Sequence, residues 1–156
     1  MGVIAIIAVV LAGVGLGLHT MGMSVVYWIV ADPFISGYGV GLWQTCSIVG
    51  CHRHPPVPEY WKATQAFVVI GFIVGVVAVI FSIILICKQN KVFSVLAGLA
   101  CFLAAGCILT AIIIFGTETR LQRRTQWGWG FIMCIVSTFF FVAAGILNCT
   151  GLKKST

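Results

Sequence analysis

Four long stretches of this chain, about Val3 to Tyr27, Ala63 to Cys87, Val92 to Phe115 and Gly128 to Cys149, contain no Asp, Glu, Lys or Arg. About 20 mostly apolar residues cross the roughly 30 Å of bilayer hydrocarbon as a helix, because a helix satisfies its own backbone hydrogen bonds where water is absent. The pattern predicts an all-α membrane protein, a single domain over residues 1–156 with helices at about 3–27, 63–87, 92–115 and 128–149. Composition agrees: 61% of residues are hydrophobic and 8% charged, against about 25% charged in a soluble domain. The net charge of +6 does not indicate nucleic acid, since the basic residues are scattered over loops rather than gathered into a stripe.

The first stretch reads as a retained helix. It has no basic n-region, and its apolar run exceeds the roughly 7 to 15 residues of a signal-peptide core. N-myristoylation is dropped because Ile6 stands where the motif needs Ser or Thr.

Three connections remain, at about 28–62, 88–91 and 116–127. The tight one forces the second and third helices into an antiparallel hairpin, and an even number of spans puts both termini on one side. Counting basic residues does not orient the chain: Lys88, Lys91, Lys153 and Lys154 on one side face Arg53, Lys62, Arg120, Arg123 and Arg124 on the other. Cysteine does orient it. Cys46 and Cys51 alone lie well outside a span, and disulfides persist on the oxidising side of a membrane. The expectation is a multi-pass plasma-membrane protein with extracellular loops at about 28–62 and 116–127 and cytoplasmic termini.

In the long loop, Val40 to Ser47 alternates like a short strand, and Cys46 and Cys51 can bridge the ends of a hairpin. Closing so small a loop contributes about 2 kcal/mol in the chain-entropy description. Cys46, Cys51, His52 and His54 also offer the donor types of a zinc site, but the histidines follow Cys51 too closely for finger spacing, and no metal or cofactor is expected. Pro55-Pro56-Val57-Pro58 stiffens the return to the membrane.

Trp28, then Gly41-Leu42-Trp43, then Cys46 and Cys51 after the first of four spans resembles the signature of the claudin, peripheral myelin protein and epithelial membrane protein superfamily. The likeness extends into Tyr60 to Phe67 and the Trp127-Gly128-Trp129 region. The compact loop and close cysteine spacing are most similar to the lens fibre membrane protein branch. The tail Lys153-Lys154-Ser155-Thr156 lacks the apolar terminus that claudins offer to scaffold domains, and Gln65 stands where claudins usually carry Arg. The resemblance implies a left-handed four-helix bundle capped by a small disulfide-linked extracellular β-sheet; Trp43 is expected to pack at the base of the stapled loop.

Small residues four apart, Gly13 and Gly17, and Gly71 and Gly75, suit close helix packing in lipid, either inside the bundle or against a partner. His19 within the first span is a functional candidate by default, or a neutral imidazole bonded to a neighbouring helix. His52, Arg53 and His54, with Arg120, Arg123 and Arg124, are candidates for contact with a partner or with lipid headgroups. Cys87 and Cys149 near helix ends are candidates for acylation, and the sequon Asn148-Cys149-Thr150 is expected to be unmodified.

Catalysis is not expected. Cys134-Ile135-Val136-Ser137 is half of a Cys-x-x-Cys motif and Ser137 cannot complete a disulfide. Asp32, Glu59 and Glu118 are the only carboxylate side chains, too few for acid and base chemistry. The expected role is non-enzymatic: cell adhesion, junction formation or membrane organisation with like protomers, or support of a channel or receptor bound laterally. Nucleic acid and small-molecule substrates are not expected partners.

Overall fold

A computed structural model of the chain describes residues 2–31, 37–119 and 125–151. Arg120, Arg123 and Arg124 lie outside the described residues, as do Lys153 and Lys154. Four helices dominate: α1 (Gly2–Ser24), α2 (Glu59–Lys88), α3 (Lys91–Thr119) and α4 (Trp129–Thr150). Each is long and apolar enough to cross a membrane. The ends differ from expectation in ways the local chemistry explains. Pro58 is the N-cap, with extended backbone at φ −55°, so α2 starts at Glu59, four residues before Ala63, where the Glu59 carboxylate complements the positive end of the helix dipole. At the far end Gln89 turns left-handed at φ 42° and donates its N–H to Leu85 O at 2.9 Å. Asn90 Oδ1 then accepts the Val92 N–H at 3.1 Å, so two residues suffice to reverse the chain.

The helices close into a ring in which each packs against its sequence neighbours and α1 also packs against α4. The buried positions alternate in steps of three and four: Ala8, Ala12, Gly15, His19 and Gly22 on α1, and Trp61, Thr64, Val68, Gly71, Gly75, Ala78, Ser82 and Leu85 on α2. A period near 3.5 is the geometry of helices wrapping one another at a shallow left-handed angle. The seam consists largely of small residues, and van der Waals contact between close backbones is the main attraction available in lipid.

Glycines that look alike in sequence part company here. Gly71 and Gly75 lie on the seam, where an added Cβ would stand 2.9 Å from Ile108 Cγ1 and 2.9 Å from Phe141 Cζ respectively. Gly13 and Gly17 are exposed on α1, with open space where a Cβ would be. They fall outside the internal packing because α1 keeps the phase of Ala12, Gly15 and His19, which steps past both.

Three polar clasps tie helix to helix. His19 Nε2–H donates to Val68 O at 3.0 Å, joining α1 to α2. Asn148 Nδ2 donates to Ser82 Oγ at 3.1 Å, joining α4 to α2, and the Ser94 hydroxyl donates to the Asn148 carbonyl, joining α3 to α4. Asn148 is therefore buried within the bundle as half of a clasp.

Above the bundle lies a five-stranded antiparallel sheet: β1 (Ile29–Ala31), β2 (Gly39–Val40), β3 (Gln44–Ser47), β4 (Gly50–Arg53) and β5 (Thr125–Trp127), in the order β4-β3-β2-β1-β5. The single strand expected over Val40 to Ser47 is split by a turn at Gly41-Leu42-Trp43, closed by Gly41 N–H donating to Gln44 O at 2.9 Å. The sheet is not confined to the first loop either, since β5 comes from the second and pairs Trp127 with Ile29.

Gly71→Leu or Gly75→Leu is expected to cost about 1–3 kcal/mol by overpacking, whereas Gly13→Leu is expected to be nearly neutral. Thermal unfolding of the purified variants in detergent checks this: equal losses at seam and outward positions would contradict the assignment.

Candidate functional site

The resemblance motif converges on one turn. Gly41 has no room for a side chain, because a Cβ there would stand 2.7 Å from Val26 Cα. Leu42 is completely buried, and its carbonyl accepts Trp61 Nε1–H at 2.9 Å and Gln65 Nε2–H at 2.7 Å. The neighbouring Gly41 carbonyl accepts His54 Nε2–H at 2.8 Å. With that nitrogen protonated, His54 Nδ1 accepts the Thr45 hydroxyl at 3.1 Å. The turn is thus held by both early turns of α2 and by the segment leaving β4.

The two signature tryptophans differ in role. Trp28 is 0% exposed; its Nε1–H donates to Gly22 O at 2.7 Å, and its ring lies edge-on to Phe115 at 5.1 Å and Phe131 at 5.9 Å. Phe115 continues to Trp61 at 5.0 Å, and Trp61 to His54 at 5.0 Å. This aromatic chain is the base of the sheet. Trp43, expected to pack there, is instead 40% exposed. It keeps one anchor, Nε1–H to Met23 O at 2.9 Å, because the turn that buries Leu42 directs the next side chain outward.

Cys46 and Cys51 face each other across β3 and β4 and are disulfide-bonded. The bond uses both thiolates that a zinc site would have needed. The hairpin tip beyond it carries Ile48 and Val49, 83% and 85% exposed. Of the contact candidates, His52 and Arg53 are exposed on β4, while half-buried His54 has both ring nitrogens engaged within the fold. Sequence reasoning touched Trp61 and Gln65 only through the family likeness and gave neither them nor Phe115 a role in holding the turn, because the Leu42 carbonyl that Trp61 and Gln65 donate to is visible only in the fold. Cys87 and Cys149 are exposed free thiols near the ends of α2 and α4.

Four apolar helices, a sheet fed by both loops, a Trp28 pillar and a disulfide beside a Gly-Leu-Trp turn form a specific combination. The sequence model of the PMP-22/EMP/MP20/Claudin family matches residues 1–148. The chain belongs to this family. Among its relatives, epithelial membrane protein 1 of Oryctolagus cuniculus is 26% identical over 140 residues, covering 81% of this chain and 83% of the relative. Lens fiber membrane intrinsic protein of Bos taurus is 27% identical over 117 residues, covering 68% of this chain and 66% of the relative. Within the PMP-22/EMP/MP20/Claudin fold, the Gly-Leu-Trp turn of this member works as a socket for helix-borne donors.

Two expectations follow. Trp28→Ala is expected to cost about 3–5 kcal/mol, far more than Trp43→Ala, as read by thermal unfolding in detergent. Cys46→Ser is expected to lower hairpin stability by about 2 kcal/mol and to open the loop to protease while the spans stay protected. Unchanged cleavage would show that the bridge is dispensable.

Proposed function

We propose that this chain is a non-enzymatic plasma-membrane protein of cell contacts, with both termini cytoplasmic and the sheet outside, acting in adhesion, junction formation or membrane organisation with like protomers. The observation that carries the reading is the hairpin tip, where Ile48 and Val49 stand almost fully exposed on a hairpin braced by the Cys46–Cys51 bridge. A rigid presentation of apolar side chains lowers the ordering cost of association. The disulfide supports the outward orientation, since such bonds persist in oxidising compartments, and the relatives named above are themselves called membrane proteins.

Mixed-culture imaging tests the proposal. Labelled protein is expressed in one or both of two touching non-adherent cells, and enrichment at the contact is expected only when both express it. Ile48→Asp with Val49→Asp is expected to abolish the enrichment at unchanged surface level. Uniform distribution in every pairing would overturn the adhesive reading.

A second reading, an auxiliary subunit bound laterally to a channel or receptor, draws on Gly13 and Gly17. Their outward face on α1 offers a shallow notch for a partner helix. Gly13→Leu with Gly17→Leu would then abolish co-purification of the partner while leaving contact enrichment intact.

A further inference from the structure

A groove of about 590 Å³ lies between β4 and the start of α2, with Trp43, Arg53, His54, Lys62 and Gln65 in its wall. Its floor is at the membrane boundary. Trp43 is bonded to Met23 in the last turn of α1, and Lys62 and Gln65 occupy the first two turns of α2. At 30 residues, α2 is about 45 Å long, longer than the roughly 30 Å hydrocarbon core, so these first turns stand among lipid headgroups. Arg53 and Lys62 are exposed, and among the described residues neither forms an ion pair and no carboxylate lines the groove. His54 is committed to Gly41 and Thr45, which leaves two cations and the open indole of Trp43 facing the space.

We propose that this groove binds the acidic sugar headgroup of a glycolipid in the surrounding leaflet. The Arg53 guanidinium pairs with the sugar carboxylate as a fork, Lys62 adds a point charge, and an apolar sugar face lies against Trp43. A bare phosphate fills little of 590 Å³ and makes no use of the indole. The choice of glycolipid over anionic phospholipid rests on the outward orientation proposed above, because anionic phospholipids are concentrated in the cytoplasmic leaflet. The groove thus gives the contact face a lipid partner beside its proposed protein partners.

The full chain is reconstituted in phosphatidylcholine nanodiscs containing a small fraction of a sialylated glycolipid, its neutral asialo counterpart or phosphatidylserine, and the lipid retained on affinity capture is quantified. The sialylated lipid is expected to be enriched about thirtyfold over its neutral counterpart, in line with the contribution of two interfacial cations. Arg53→Gln with Lys62→Gln removes the enrichment, and Arg53→Lys retains part of it; both changes are at exposed positions and leave protease protection of the sheet unchanged. Equal retention of sialylated and neutral lipid, full enrichment in the double variant, or phosphatidylserine retained as strongly as the sialylated lipid would each overturn the proposal. Both faces of a nanodisc are accessible, so the result is independent of orientation, which antibody access to a hairpin-tip epitope on intact cells reports separately.

Discussion

The Leu42 carbonyl is the point on which the cap of this protein turns. A carbonyl excluded from water costs free energy unless a donor meets it, and this one is met twice, by Trp61 and by Gln65. Both donors rise from the first two turns of α2, so the turn holds its place only while α2 starts where it does. Trp43 bonds the same turn to the end of α1, and Trp28 bonds the following strand to Gly22. The sheet is therefore fixed to the bundle by side-chain N–H groups donating into backbone carbonyls, and those of Trp28 and Trp61 are buried, where an unmet carbonyl is costly. Mobility between cap and bundle would require breaking several of them together.

Below the cap, the same scarcity of water changes what holds helices together. Leu and Ile face lipid as readily as they face another helix, so burial of large side chains gives little selectivity. Selectivity comes from shape, through Ala and Gly on the seam, and from the few polar atoms that must find one another. His19, Ser82, Ser94 and Asn148 sit where an alternative rotation of any helix would point them into hydrocarbon. Each clasp is modest in energy, on the order of 1 kcal/mol, but together they fix the rotation of all four helices.

This explains what could be read from the sequence. The spans were legible because length and absence of charge suffice, and the Cys46–Cys51 bridge because only those cysteines lie well outside a span. The phase of each helix was not legible: when every face is apolar, Gly13 and Gly71 look alike, and only the three-and-four alternation of contacts in space tells them apart. Nor was β5, since three residues before a span carry too short a pattern to declare a strand. The resemblance named the Gly-Leu-Trp turn without saying which tryptophan is buried, and that depends on Phe115 and Phe131, which close around Trp28 from distant parts of the chain.

The pairing of β1 with β5 has a further consequence for the order in which this chain matures. Ile29 leaves the ribosome almost a hundred residues before its partner Trp127, and Trp28 waits equally long for Phe131 and for the Gly128 N–H that its carbonyl accepts at 2.9 Å. Until α4 has been inserted, β1 presents an unpaired edge, the kind of surface that invites wrong partners. Completion of the cap is thereby a report that the last helix has been threaded correctly. A chaperone that recognised the bare β1 edge could distinguish finished from unfinished molecules at the one end of the bundle that carries the sheet, without surveying the spans at all.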